Sequence, residues 1–156
     1  MGSLNLQRNT NYKQGFFYPR NLDKFVGKEN KAIYRSGLEL EYFRILDKNP
    51  NVLTWGSEEV VVPYFFENKW HKYYIDLFVV FKFGESVKKY FIELKPYSQT
   101  VEPKVSKRKK QMSMLYEAKQ WAKNQAKWKA ATDYAKKNGW EFHILTEKDL
   151  ENRKWL

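Results

Sequence analysis

A chain of 156 residues, of which 42% are hydrophobic and 18% aromatic, has the size and apolar content of one domain with one core. The sequence has no apolar run near the roughly 18 residues of a membrane helix, which excludes a membrane-spanning protein, and no cysteine, which excludes disulfides and zinc–thiolate sites. Its 29 Lys and Arg residues against 18 Asp and Glu give a formal net charge of +11. Such a charge favours a polyanionic partner such as nucleic acid; the alternative is that it only keeps the protein soluble.

The first 31 residues are predicted to form an extended arm. The segment from Met1 to Lys31 has no sustained helical or strand periodicity and mixes polar with aromatic residues. Phe16, Phe17 and Phe25 are predicted to pack this arm onto the body, because exposed aromatic clusters are unfavourable; an interface with a partner is the alternative. Residues 32–156 are then predicted to form a single domain.

The body is predicted to begin with a helix over residues 36–48. Ser36 is a suitable N-cap, Glu39 stands three residues later as in a capping box, and Pro50 disfavours further helix. Runs rich in β-branched and aromatic residues then predict an antiparallel meander of three strands. These strands cover residues 58–66, 73–83 and 87–95.

A long helix and a further strand complete the predicted core. Residues 107–137 contain neither proline nor glycine, and four apolar residues recur at intervals of seven, as on one face of a helix. They are Met114, Trp121, Trp128 and Ala135. Core packing is the expected role of the two tryptophans, and stacking on bases is the alternative. With Gly139 as the helix end, a strand over 140–145 and a short helix over 147–152, the order α-β-β-β-α-β predicts an α/β fold with a mixed sheet.

Charged side chains interrupt two of the predicted strands. Asp76 lies in an otherwise apolar strand, and Glu93 and Lys95 flank Leu94, so that their side chains share one face. If that face also carries Asp76, two carboxylates and an ammonium group converge. Such carboxylates suit Mg²⁺, which makes a bound water acidic enough to attack phosphorus. Lys95 would position or deprotonate that water, or neutralise charge in the transition state.

Glu39 on the first predicted helix is the candidate for a further carboxylate, bound to the metal directly or through water. Its capping-box position is a competing explanation. An Asp followed by Glu-x-Lys also arises by chance, and a Glu and a Lys on one strand commonly form an exposed ion pair. A metal is favoured because carboxylates at the centre of a basic surface would otherwise repel phosphate.

Basic residues near this group are candidates for DNA contacts. Arg35 precedes the first predicted helix, whose N terminus itself attracts anions. A second set follows Lys95, at the predicted start of the long helix, and consists of Lys104, Lys107, Arg108, Lys109, Lys110 and Gln111. A solvated basic run is the alternative, but its position beside the proposed site favours binding to phosphates.

These residues resemble the active-site pattern of the PD-(D/E)xK nuclease superfamily. The matching succession is Glu39, Tyr74-Ile75-Asp76 and Phe91-Ile92-Glu93-Leu94-Lys95, with Ile75 where the motif has proline. Blocks such as Leu46-Asp47-Lys48-Asn49-Pro50 are similar in order and spacing to the head completion nucleases of T-even-type tailed phages. The endonuclease subunit of heteromeric transposases resembles the chain more distantly, with a similar Ser-x-Leu-Glu helix, which supports Glu39 rather than Glu41 as the helix carboxylate.

The resemblance implies a restriction-endonuclease-like core and a Mg²⁺-dependent deoxyribonuclease, in which Mn²⁺ is expected to substitute. Asp76, Glu93 and Glu39 would hold the metal, and Lys95 would complete the catalytic set. The implied substrate is double-stranded DNA, cut after packaging and before the tail joins the head. The implied location is the host cytoplasm during virion assembly, or the virion neck, where portal or neck proteins are candidate partners. A DNA-binding neck protein that keeps the scaffold without turnover is the alternative.

Overall fold

The computed structural model describes residues 14–151, in which nine strands and three α-helices form. The strands are β1 (Gly15–Phe17), β2 (Phe25–Val26), β3 (Ala32–Tyr34), β4 (Val52–Ser57), β5 (Val61–Phe66), β6 (Lys69–Tyr74), β7 (Leu77–Phe83), β8 (Ser86–Leu94) and β9 (Glu141–Leu145). The helices are α1 (Gly37–Lys48), α2 (Gln111–Lys137) and α3 (Glu147–Glu151). The first part of the predicted arm, 1–13, and the end of the chain, 152–156, lie outside the described residues. No helix within 14–151 is long and apolar enough to cross a membrane.

A mixed five-stranded sheet with the strand order β2-β4-β7-β8-β9 forms the centre of the molecule. β7 lies antiparallel to β4 and β8, whereas β2 lies parallel to β4 and β9 parallel to β8. Parallel neighbours need a crossover connection, and α2 supplies it between β8 and β9. The predicted α/β class with a mixed sheet is confirmed, and it is compatible with a restriction-endonuclease-like core.

Helices cover both faces of this sheet, and each face buries its own apolar cluster. On one face, α1 contributes Tyr42, Phe43 and Leu46 to a cluster with Trp55 and Ile92. The opposite cluster joins α2 to β5, β6 and β8, and its fully buried members include Val62, Ile75, Ala131 and Ala135. Trp128 is buried in that second cluster and Trp121 packs against it, so the predicted core role of the two tryptophans is confirmed.

The predicted meander is wrong in its first strand. The sheet strand before β7 is β4, which had no counterpart in the prediction, whereas β5 pairs only with β6 in a separate two-stranded sheet. β4 contains Gly56, and glycine is depleted in strands. A Cβ at Gly56 would lie 2.5 Å from the Phe78 ring and 2.7 Å from the Val26 carbonyl oxygen, so this glycine permits close packing inside the sheet instead.

The single strand predicted over 73–83 is divided into β6 and β7. At the division the chain leaves the small sheet and enters the large one, because Ile75 donates its N–H to the Val60 carbonyl at 2.9 Å and Glu58 donates to the Asp76 carbonyl at 3.1 Å. β7 and β8 are joined by the predicted turn, in which Gly84 takes a φ of 61°. Asp76 therefore stands where two sheets meet.

The predicted limits of α1 are confirmed, and the start of α2 is not. Ser36 caps α1 by accepting the Glu39 N–H at 3.1 Å, and α1 ends at Lys48. α2 begins at Gln111 rather than at residue 107. Four consecutive basic residues, 107–110, stay outside the helix, because positive charge is unfavourable at the positive N-terminal end of the helix dipole. Gly139 follows α2 with a φ of 78°, as its role at the helix end requires.

The described part of the arm, residues 14–31, lies against the α1 face of the sheet. Phe17 stacks at a tilt on Phe43, 5.8 Å between ring centroids, and Phe25 meets Trp55 edge-on at 4.8 Å. The buried Asp47 carboxylate accepts backbone N–H groups from Arg20 and Asn21 at 3.1 and 3.0 Å. β1 pairs with β3, which crosses the predicted boundary at residue 31. Phe16 instead lies under the Lys31 ammonium group, 4.3 Å from its ring centroid.

Candidate active site

Asp76 lies at the junction of the two sheets, beside the C-terminal end of β8. The pairing of Leu77 with Ile92 in antiparallel strands brings the preceding Asp76 next to Glu93. One oxygen of Asp76, Oδ2, accepts the backbone N–H of Leu94 at 2.8 Å. Its other oxygen accepts no hydrogen bond from any residue that the structure describes. The carboxylate is therefore fixed in orientation by the backbone and keeps one oxygen for a ligand.

Glu93 is a buried carboxylate, with 4% of its surface exposed. It accepts a short hydrogen bond from the hydroxyl of Tyr73, and the Lys95 ammonium lies 3.4 Å from its other oxygen. Ile92 and Leu94 point into the cluster beneath α1, so Glu93 and Lys95 face the opposite side, as strand alternation predicts. The structure thus brings together the three strand residues that the sequence singled out.

The carboxylates of Asp76, Glu93 and Glu39 repel one another. Burial raises the pKa of Asp76 well above its usual value, and the negative charges of Glu93 and Glu39 raise it further. The Leu94 N–H and the Lys95 ammonium oppose that rise in pKa without cancelling it. Two neighbouring carboxylates thus share this buried position with the Lys95 ammonium, an arrangement that a bound divalent cation would stabilise.

Glu39 lies at the first turn of α1, close enough to Asp76 to repel it electrostatically. Its side chain accepts the backbone N–H of Arg35 rather than that of the N-cap Ser36, so the capping box is displaced by one residue. Burial raises the pKa of Glu39, the Arg35 contact lowers it and the nearby Glu58 carboxylate raises it. Glu39 thus combines a contact at the helix N terminus with a position close enough to Asp76 to raise the pKa of that carboxyl.

The donor set fits a hard divalent cation that keeps part of its water shell. Within residues 14–151 no three acidic or histidine side chains are grouped closely enough to enclose a metal ion. Asp76 and Glu93 are the two adjacent carboxylates, and Mg²⁺ is commonly held by one or two carboxylates together with water and substrate phosphate. Glu39 would then act through water or through its charge.

Two residues of this site had not been singled out from the sequence. Tyr73 holds Glu93 in place, and burial together with the Glu93 charge raises the pKa of its hydroxyl, which keeps it a hydrogen-bond donor. The Lys127 ammonium on α2 lies 5.1 Å from the centre of the Tyr73 ring. Burial lowers the pKa of Lys127, Glu93 and Asp76 raise it, and Lys95 and Lys123 lower it. The alternation in β6 identifies Tyr73 as inward-facing, but nothing local relates α2 to it.

Removing the Tyr73 hydroxyl should weaken metal-dependent activity without unfolding the protein. In Tyr73→Phe the ring remains packed and Glu93 loses its donor, and such orienting contacts are worth roughly 10- to 100-fold in metal affinity or activity. The measurement is the Mg²⁺ concentration that gives half-maximal DNA cleavage. Tyr74→Phe is the matched control, because Tyr74 is 52% exposed. Equal effects of the two substitutions would contradict this role of Tyr73.

The predicted DNA-contacting residues lie in two places. Arg35 forms an ion pair with Glu58, 2.7 Å from Nη1 to Oε1, at the N terminus of α1. The others lie in the loop of residues 101–110 and at the start of α2, where Lys107, Arg108, Lys110 and Gln111 are exposed and, among the described residues, form no ion pair. Lys104 and Lys109 instead line a cleft of about 690 Å³ between this loop and α2, with Lys95 and Lys127 at its wall.

Comparison with known proteins relates the chain to nucleases. Residues 49–147 match the family described as TnsA-like endonuclease N terminal, and that segment contains Asp76, Glu93 and Lys95, whereas Glu39 precedes it. The chain is also 38% identical over 144 residues to the head completion nuclease of Enterobacteria phage T4, a match that covers 87% of this chain and 92% of that protein. Both resemblances predicted from the sequence are confirmed.

Proposed function

The chain belongs to the TnsA-like endonuclease N-terminal family and is a relative of the phage T4 head completion nuclease, and from this membership we propose that it is a Mg²⁺-dependent deoxyribonuclease of head completion. Asp76, Glu93 and Lys95 form its catalytic group, with Glu39 as an additional carboxylate. The observation that carries the proposal is the position of Asp76 beside the buried Glu93, with the Lys95 ammonium 3.4 Å from Glu93. A protein of net charge +11 that only bound DNA would gain nothing from negative charges at this position.

Each side chain has a distinct task in this proposal. Asp76 and Glu93 would hold the metal, which when bound neutralises phosphate charge and makes water a better nucleophile. The Leu94 N–H orients Asp76, and the Tyr73 hydroxyl orients Glu93. Lys95 places its ammonium beside Glu93, where it either positions the attacking water or stabilises the negative charge that develops on phosphate.

Cleavage assays test this proposal directly. The wild-type protein is expected to cut supercoiled and linear duplex DNA with Mg²⁺ or Mn²⁺ and to stop when EDTA is added. Glu93→Gln keeps an acceptor for Tyr73 but loses the charge, and Lys95→Met keeps the aliphatic stem but loses the ammonium. Lys95→Met should lower kcat by roughly 10²- to 10⁴-fold, the usual range for loss of a catalytic proton-transfer group.

A lysine on β8, the strand that ends just before Lys95, provides the control. Lys88 lies on the exposed half of β8, so Lys88→Met removes the same charge far from the carboxylates and should leave cleavage intact. Relaxation of supercoiled circles distinguishes internal cutting from digestion at ends, which requires linear DNA. Failure of wild-type protein to cut with either metal, with DNA binding equal in all variants, would instead support a structural DNA-binding neck protein on a nuclease scaffold.

The biological setting proposed here rests on the relative. The name of that relative supports a role in head completion. As the resemblance implies, the proposed substrate is packaged double-stranded DNA, cut in the host cytoplasm before the tail joins, with portal or neck proteins as candidate partners. Its substrate in that setting would be the terminal part of a packaged molecule. Restoration of infectivity to virions that lack the nuclease, by wild-type protein and not by Lys95→Met, would support a role for cleavage in that step. Restoration by both proteins would show that cleavage is dispensable there.

A further inference from the structure

The cleft beside the candidate active site has a lining of mixed chemistry. It lies between the loop after β8 and one face of α2, and five lysines and two glutamates line it. The exposed ring of Tyr116 and the partly buried ring of Trp121 form part of the α2 wall. The amides of Gln120 and Asn124 lie between Tyr116 and Lys127 at helical spacing, so that α2 presents an aromatic ring, two amides and an ammonium along one face.

This combination matches the requirements of an unpaired nucleic-acid strand. Proteins bind single strands by pairing basic groups with the backbone and aromatic rings with the bases. A volume of about 690 Å³ lies within the range of roughly 300–1,000 Å³ typical of enclosed ligand sites. A compact space of this volume is only about 9 Å across, less than the width of about 12 Å of the major groove alone, so a duplex does not fit inside it. The cleft therefore suits unstacked nucleotides better than paired ones.

The cleft is continuous with the proposed catalytic group. Lys95 lines it and also pairs with Glu93, and Lys127 lines it and also lies over the Tyr73 ring. Lys123 stands next to Lys127 and forms no ion pair within the described part of the chain. Positive charge is thus crowded at the inner end of the cleft, where the phosphate nearest the carboxylates would lie.

We propose that this cleft binds a single-stranded DNA end or overhang and leads it to Asp76, Glu93 and Lys95. The inference rests on the proposed nuclease function and adds a substrate preference, for DNA with an unpaired strand next to a duplex over fully paired DNA. Tyr116 stacks on a base, Gln120 and Asn124 reach base edges, and Lys123 contacts a phosphate. The neighbouring basic loop, including Lys107 and Arg108, remains available for the adjoining duplex.

Binding measured without cleavage tests this proposal. Fluorescence anisotropy in EDTA compares a blunt duplex with the same duplex carrying a single-stranded tail of about 12 nucleotides, within the site size of single-strand binding folds. The tailed duplex is expected to bind at least roughly tenfold more tightly. Tyr116→Ala should weaken that binding roughly 5- to 150-fold, the range for loss of one stacked base, without changing its salt dependence. Lys123→Ala should reduce the slope of log K against log salt by about 0.7, one single-strand phosphate contact.

Matched substitutions outside the cleft serve as controls. Tyr18 is 63% exposed against 66% for Tyr116, and Lys129 lies on α2 but does not line the cleft, so Tyr18→Ala and Lys129→Ala should bind as wild type does. Any of three results would overturn the proposal. They are equal binding of blunt and tailed duplex, unchanged binding by both cleft variants, and displacement of the tailed duplex by polyglutamate as effectively as by single-stranded DNA. Cleavage of the same DNAs with Mg²⁺ separates the two ideas. If the wild-type protein cuts DNA and Tyr116→Ala has no effect, the proposed nuclease function stands and the proposed cleft role is wrong. If the tailed duplex binds through the cleft but is not cut, the cleft role stands and the nuclease function is wrong.

Discussion

Replacing Asp76 by Asn should abolish cleavage and, in the absence of metal, make the protein more stable. Asparagine retains an oxygen for the Leu94 N–H and removes the charge that burial and Glu93 disfavour. We expect cleavage to fall by roughly a thousandfold, as when electrostatic support of a transition state is lost. Unfolding in EDTA at neutral pH should require about 1–2 kcal/mol more, because substitutions that relieve active-site strain commonly give such gains.

The pH dependence of stability provides an independent measure of the same effect. Because the folded-state pKa of Asp76 lies above its unfolded value, the folded protein binds the proton more tightly, and its stability in EDTA falls as pH rises from about 4 through the raised pKa. Asp76→Asn should lack this contribution. Mg²⁺ should raise the melting temperature of wild-type protein and leave the variant unchanged. A variant less stable than wild type in EDTA, or one that Mg²⁺ still stabilises, would contradict the assignment.

Replacing Trp55 by Ala should produce the largest loss of stability. Trp55 is fully buried in β4, where it contacts Phe17 and Phe25 of the arm and Phe43 of α1. Truncating a buried tryptophan costs about 3–5 kcal/mol, through lost burial and the cavity left behind. That cost is a large part of the total stability of a domain, about 5–15 kcal/mol. Urea unfolding monitored by far-ultraviolet circular dichroism measures this loss in the free energy of unfolding.

Trp70 is the matched control for this experiment. It is 67% exposed on the hairpin of β5 and β6, so Trp70→Ala should change the free energy of unfolding by no more than about 0.5 kcal/mol. β4 pairs with β7, which follows Asp76 directly, so a Trp55→Ala protein that still folds should also cut DNA less well. A loss of stability below about 1 kcal/mol would show that the arm and α1 do not depend on this ring.

Local features of the sequence predicted the helices and one half of the candidate site. Ser36 and Pro50 limit α1, and Gly139 ends α2, because capping and backbone preferences act over a few residues. Strand alternation around Leu94 similarly placed Glu93 and Lys95 on one face. The predicted start of α2 was wrong because the basic run 107–110 has good helix propensity residue by residue but would place positive charge at the positive end of the helix dipole.

The errors in the sheet arose where packing overrode local pattern. Glycine is depleted in strands, yet Gly56 lies inside β4, where the Phe78 ring and the Val26 carbonyl leave no room for a side chain. The division between β6 and β7 likewise depends on hydrogen bonds from Ile75 and Glu58 to residues elsewhere in the chain. No periodicity in a single segment carries such information.

By itself the sequence determined the basic charge, the α/β class, the two main helices and the residue types that could serve phosphodiester chemistry. The tertiary structure alone decided that Asp76 lies beside Glu93, that Tyr73 orients Glu93, and that α2 brings Lys127 over the same site. It also decided that Tyr116 and Lys123 share a cleft with Lys95. The physical reason is that capping, alternation and charge act between neighbours in the chain, whereas a site depends on contacts between residues far apart in sequence, set by how sheet and helices pack.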